Sequence, residues 1–382
     1  MAEPQTQESL PSTVDTMAAA VLVVFAAAEA RLVTGSAVLV RAAILNPALA
    51  PSLRGGLDRL ALETSHEVMA KVHTLATEVA ATATRNGDAT AAREIRGLER
   101  SVKDFTASPV SKILPHDVTA SAAIAEDLAS RLGAAAQRIT RYSDDAYRAA
   151  VASGALVQIN PARDIVRNSF SAATPQEAQA QAWRELSAKG VTGFTDKAGR
   201  EWNLATYVEM ATRTATQRAY NASHRERLTL AGINYFTIST TGRPCPLCSV
   251  WEGMVLAETP GTVTEDGHTF TVAATIEDAM AAGLFHPNCK HTLTAYLPGF
   301  TVLKPNQWTP QDEAKYRDTQ KLRALERTVR QARQVQAAAL TPADRSAAGR
   351  DVRAAQVNVR AFTAQTGLNR RTRREQLNLG NK

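Results

Sequence analysis

Cys245-Pro246-Leu247-Cys248 and, farther along, His286-Pro287-Asn288-Cys289-Lys290-His291 hold all three cysteines of the 382-residue chain and two of its seven histidines. Each stretch can turn two ligands toward one point from a single tight turn, and a tetrahedral zinc ion pins two such turns together. Three thiolates and one imidazole make a closed, structural site with no open coordination position. The fourth ligand stays open. His286 pairs with Cys289 at the same spacing as Cys245 with Cys248, which favours it slightly on turn geometry. His291 forms a tighter Cys-x-His pair and can serve as ligand or as an outer partner. The plain alternative is three buried thiols without metal, and the clustering of all three argues against it. An odd cysteine count also argues against a disulfide framework and for a reducing compartment.

Around these knuckles the hydrophobic period is that of strands. Ile233 to Thr240 reads as a strand running into the first knuckle. Thr262-Val263-Thr264 and His268 to Val272 flank Glu265-Asp266-Gly267, read as a three-residue hairpin loop. A short helix near Ile276–Ala282 delivers the chain to the second knuckle, and His291 to Tyr296 alternates like a closing strand. So little aromatic surface lies between Ile233 and Tyr296 that this unit is expected to depend on metal binding for its folding.

Farther out, the period returns to that of helices. Upstream, Gly190 to Trp202 suggests paired turns, followed by a helix from about Leu204 to Ala231. Downstream, Leu322, Leu325, Val329 and Ala332 form one stripe and Val352, Ala355, Val359 and Phe362 another. An antiparallel helical hairpin follows from this pattern. Thr-Pro helix starts recur at Thr174, Thr309 and Thr341, each with an acid or amide nearby. Residues 17–155 are Ala-rich and helical almost throughout. Their stripes are Val68, Val72, Leu75, Val79, then Ile95, Leu98, Val102, Phe105, then Ile124, Leu128, Leu132, Ala135, Ile139, Tyr142. Pro47, Pro51, Gly55-Gly56 and Pro115 are expected to punctuate them. The reading is a mainly α chain with a small α+β metal-stapled unit. Its parts are a loose 1–16, a helical 17–155, a hinge at Gly154–Pro161, an α+β 165–300 and a basic helical hairpin over 301–382.

Charge separates the last part from the rest. Residues 301–382 carry 17 Lys/Arg against 7 Asp/Glu, a net of +10 within a chain of +7, so the first 300 residues sum to −3. A basic block on a near-neutral body suits contact with a polyanion, non-specific DNA before a membrane. Arg370, Arg371, Arg373 and Arg374 form its densest run. A solvated basic helix surface is the plainer account of the same residues. The apolar run from Met17 to Ala28 is ended by Glu29 and Arg31, short of the ~20 residues that span a bilayer, and reads as a buried helix of a soluble protein.

Catalytic signatures are sparse. There is no phosphate-cradling Gly-rich loop with Lys-Ser/Thr, no G-x-S-x-G elbow and no H-E-x-x-H helix. His224-Arg225-Glu226 with Pro244-Cys245-Pro246-Leu247-Cys248 does match the letters of a zinc nucleobase deaminase, in which a His and two Cys hold zinc and the Glu moves protons. That reading leaves His286, Cys289 and His291 unused, and it places His224 in a helix crowded with Arg218, Arg225 and Arg227.

Gly190-Val191-Thr192-Gly193-Phe194, Gly199-Arg200-Glu201-Trp202, Tyr207 to Met210 and Arg213-Thr214 begin an ordered set of motifs. Arg243 to Cys248, Trp251-Glu252-Gly253 and His286-Pro287-Asn288-Cys289 continue it, and Tyr316, Arg323, Glu326-Arg327, Arg330, Arg360-Ala361-Phe362, Gly367-Leu368 and Arg374-Glu375 extend it to about residue 376. That order resembles the phage minor capsid protein 2 family, related to the Mu F-like head morphogenesis proteins of tailed bacteriophages. The resemblance implies a non-enzymatic minor head component that meets portal and major capsid or scaffold proteins. Such a component would reside in the virion, in the capsid interior or at the portal vertex, and in host cytoplasm during assembly. A free-standing non-specific DNA-binding protein is the remaining alternative.

Overall fold

The computed structural model describes residues 10–103, 105–109, 118–152, 183–191, 194–195, 201–240, 245–303 and 308–377. The expected hinge at Gly154–Pro161, the helix start at Thr174 and the features at Pro115 and Gly199-Arg200 lie outside the described residues. The molecule is mainly helical with one small mixed sheet.

Two long helices open the chain: α1 over Leu10–Leu45 and α2 over Ala50–Ser101, joined by a 3-10 turn at Pro47–Leu49. α1 thus begins inside the stretch expected to be loose. It also runs past Glu29, which is buried rather than ending the apolar face. By length and composition Thr13–Leu45 is apolar enough to cross a membrane, and half of its most apolar window is buried in the protein.

Pro51 sits in the first turn of α2, where its missing N–H costs nothing. Gly55 and Gly56, expected to break the helix, lie within it. Each costs about 1 kcal/mol against Ala, and neither position is too crowded for a Cβ. A Cβ on Gly56 would lie 3.6 Å from Leu39 Cδ1, and one on Gly35 would lie 2.8 Å from Leu60 Cδ2. The pairings 35 with 60 and 39 with 56, together with the Arg31 ion pairs to Glu63 and Glu67, make α1 and α2 an antiparallel hairpin.

The chain then forms α3 (Val118–Ile139), α4 (Tyr142–Ala152), a helical stretch over 183–189 and the strand pair β1 (Phe194–Thr195) and β2 (Glu201–Trp202). After these come α5 (Leu204–Leu230), β3 (Phe236–Ile238), the one-turn α6 (Pro246–Ser249), β4 (Val255–Ala257), β5 (Gly261–Glu265) and β6 (His268–Thr275). Then follow α7 (Ile276–Ala281), β7 (Leu293–Ala295), α8 (Pro310–Ala337), α9 (Pro342–Thr366) and a 3-10 turn at Thr372–Glu375.

Strands β3 to β7 form one sheet ordered β5-β6-β4-β3-β7, antiparallel except where β4 runs parallel to β6. The β5–β6 loop is one residue shorter than the sequence led us to expect. Glu265 pairs with His268, so only Asp266 and Gly267 turn, both with positive φ (50° and 78°). An Asp-Gly pair is suited to this left-handed two-residue turn.

Two compact units emerge, each built from three pieces of chain. One comprises Met1–Ala18, His73–Ser130 and Met210–Asp318; the other comprises Ala19–Val72, Arg131–Glu209 and Thr319–Lys382. Boundaries read from composition run consecutively along the chain, whereas these units share long helices such as α2. In the first unit the sheet residues Phe236, Ile238, Leu256 and Leu293 bury with Ala91 and Ile95 of α2 and with Leu228 of α5. Cys248 and Cys289 bury in this same core, so the two Cys/His turns pack with α2 of the Ala-rich segment and with α5. In the second unit Leu322 and Val329 of α8 bury with Ala355, Val359 and Phe362 of α9, the expected helical hairpin.

Candidate metal centre

The first ligand turn is α6. Cys245 is its N-cap residue in extended conformation, Pro246 follows at the first helical position, and the N–H groups of Cys248 and Ser249 both donate to Cys245 O. One helical turn thereby brings two thiols to one side. The second turn is His286-Pro287-Asn288-Cys289, closed by Cys289 N–H donating to His286 O at 2.9 Å. Asn288 has φ 66°, so Pro and a left-handed Asn occupy the central positions that a type II turn favours. The main chain of Thr292, just beyond, is tied to Ser239 beside β3.

The five expected ligands fall into two overlapping groups of three. The donor atoms of Cys245, Cys248 and His286 lie within 4.8 Å of one another, and so do those of Cys248, Cys289 and His291. Cys248 belongs to both sets and is fully buried. Its sulfur is 3.4 Å from Cys289 Sγ, which is 3.3 Å from His291 Nδ1; His286 Nε2 is 2.7 Å from Cys245 Sγ. On one tetrahedral zinc with ~2.3 Å sulfur and ~2.0 Å nitrogen bonds, two sulfurs stand ~3.8 Å apart and sulfur and nitrogen ~3.5 Å. The Cys248–Cys289–His291 edges come close to those values. The donor set is soft, compact and large enough, so it fits zinc.

Electrostatics point the same way. Hydrogen bonding to Cys248, then the neighbouring histidine, pulls the Cys245 thiol down to about 4, and the same pair of causes with His291 pulls Cys289 to about 4. Cys248 shares both contacts and is pushed up, first by Cys245 and then by Cys289. The Cys245 contact raises His286. Burial opposes a charged His291, but Cys289 and Glu252 outweigh it and its pKa is raised. Neighbouring thiols this close do not all ionise unaided, and a divalent cation held there would supply the charge that lets them do so.

One participant was missed in the sequence. Glu252 Oε1 lies 2.7 Å from His291 Nε2, and both side chains are nearly buried. A lone acid four residues past Cys248 carries no ligand spacing, so the Trp251-Glu252-Gly253 motif pointed to the family but not to this contact.

The deaminase letters are used otherwise. His224 is buried with Nε2 2.9 Å from Glu94 Oε2, and the other oxygen of Glu94 accepts the Ala295 N–H of β7 at 2.8 Å. Among the described residues neither group of potential ligands contains His224 or Glu226. Pro244 lies outside the described residues. His66 and His73 are exposed.

Of the tail cations, Arg370 makes a two-pronged pair with Glu375, at 2.6 and 2.7 Å. Arg374 pairs with Glu326 at 3.2 Å and with Glu209 at 3.3 Å. Arg371 and Arg373 are exposed.

Residues 60–364 match the family described as Phage minor capsid protein 2. No curated protein and no solved structure matches the chain. The family match begins well inside α2, so it takes in helices of the Ala-rich segment as well as the knuckles.

Proposed function

Because the chain belongs to the phage minor capsid protein 2 family, a structural family of the phage capsid, we propose that it is a non-enzymatic head component sited at the portal vertex or inner capsid. There it meets portal and major capsid or scaffold proteins and lies beside packaged DNA. The family match over residues 60–364 carries this reading. The basic C-terminal block supports the DNA part, since Lys and Arg contacts to phosphate need no sequence specificity. The test is mass spectrometry of purified virions and of proheads assembled with and without portal. The protein should be present in virions and depleted from portal-less proheads; its absence from both kinds of head would overturn the proposal.

Zinc is assigned a folding role within this reading. Cys245, Cys248, Cys289 and a histidine would hold it, and the ion would supply the cross-link between two turns that the short strands β3, β4 and β7 supply only weakly. Elemental analysis at neutral pH should find zinc in the purified protein. Chelation, or Cys245→Ser with Cys248→Ser, should abolish amide protection around 245–296 while leaving α9 protected. A metal-free protein with full protection there would sink this role.

A further inference from the structure

Five donors lie in two groups joined at Cys248 where a structural zinc takes four, and the surroundings of the two histidines differ. We propose that Glu252 is a positioning residue of the metal centre: its carboxylate holds His291 with Nδ1 turned to the ion. His291, not His286, is then the nitrogen ligand beside the three cysteines. The inference rests on the zinc reading above and specifies its ligand set.

Three observations carry it. First, the distances sort the histidines. His291 Nδ1 stands 3.3 Å from Cys289 Sγ, near the ~3.5 Å of two ligands sharing one zinc. His286 Nε2 stands 2.7 Å from Cys245 Sγ, which is hydrogen-bond contact and too close for a shared tetrahedron.

Second, His291 is gripped on every side. Its Nε2 faces Glu252 Oε1 at 2.7 Å, its N–H donates to Cys289 Sγ and its carbonyl accepts from Gln217 Nε2. A proton fixed on Nε2 leaves the Nδ1 lone pair for metal, the usual carboxylate–histidine–zinc arrangement. His286 has an equivalent tautomer lock through Pro287 O at 2.8 Å, but it is only half-buried.

Third, Glu252 belongs to the first knuckle and His291 to the second. Glu252 N–H donates to Ser249 O of α6, so the carboxylate is held by the same turn that carries Cys248. The Glu252–His291 hydrogen bond therefore ties the two knuckles beside the ion itself.

The test uses the full chain as wild type, H286A, H291A, E252A and E252Q, loaded with Zn2+ or with Co2+ as a spectroscopic probe. Wild type and H286A should share one Co2+ spectrum of a tetrahedral site with three sulfurs and one nitrogen, and H291A should lose it. E252A should weaken zinc about 10- to 100-fold in chelator competition, and E252Q should recover most of that, since its amide oxygen still accepts from Nε2. If wild type binds no metal, the zinc reading itself fails. If wild type binds metal, unchanged affinity and spectrum in E252A, or loss of the spectrum in H286A, overturns this inference alone. Should H291A not fold, ring 15N NMR of the wild-type zinc protein decides: metal on His291 Nδ1 is expected, and metal on His286 Nε2 overturns the assignment.

Discussion

At the scale of single residues, the buried acids teach most. Glu29 lies inside α1 yet accepts the Val191 N–H at 2.9 Å. Gly190 makes room for this: its φ is +64°, and a Cβ there would stand 2.3 Å from Glu29 Oε1. Burial raises the Glu29 pKa from 4.5 to about 7, against the opposing pull of Val191, Arg330 and Gln334. A carboxyl raised on folding stabilises fully below its unfolded pKa and loses that contribution as pH rises through the folded value. Wild type should therefore lose up to about 3 kcal/mol relative to Glu29→Gln between pH 4.5 and 8, at ~1.4 kcal/mol per unit. Paired denaturant melts across that range check it, and parallel curves would refute it. Glu94 serves both His224 and Ala295. Glu94→Ala strands both, at about 1–3 kcal/mol for each buried orphan, so urea melts should show a loss of at least about 2 kcal/mol. His224 and Glu226 spelled a catalytic signature in the sequence because letters carry no direction. Only the fold shows that His224 turns to α2.

At the scale of elements, local signals were legible wherever a side chain acts on its own backbone. Thr309 and Thr341 were read as helix starts, and each hydroxyl accepts the N–H of the Asp three residues on, at 3.2 and 3.1 Å. Thr341→Ala should cost α9 about 1 kcal/mol and Thr341→Ser much less, measurable as a shift in thermal midpoint. If the two variants melt alike, the cap is not what anchors that end. The knuckle turns were equally visible, because Cys-Pro-x-Cys and His-Pro-Asn-Cys dictate their own geometry. Less legible were the strands. The stretch Ile233–Thr240 alternates over eight residues, but only Phe236–Ile238 pairs in the sheet. Pairing depends on where β4 and β7 lie, and that is a tertiary matter. Gly55-Gly56 misled because a penalty of about 1 kcal/mol at each does not stop a helix of 52 residues.

At the scale of the whole molecule, composition located the charge but not its availability. The block 301–382 has a net charge of +10, yet within their own unit Arg370 pairs with Glu375, and Arg374 with Glu326 and Glu209. The tail is fastened further by Arg330 donating to Arg374 O and by Gln356 donating to Glu375. The four arginines should therefore separate into two pairs. Arg370→Ala and Arg374→Ala should loosen the tail, because Glu375 and Glu326 are almost fully buried and would be left without their partners. Arg371→Ala with Arg373→Ala, both at exposed positions, should cost less stability than either of those changes. If DNA lies against this surface, the second pair should act on binding instead. Each phosphate contact contributes about 0.9 to the slope of log K against log salt, so losing both should flatten that slope by about 2 on random-sequence duplex, with no change in base preference. A double variant whose salt slope equals that of wild type would place the DNA-facing surface elsewhere on α8 and α9, or remove DNA from the protein's role.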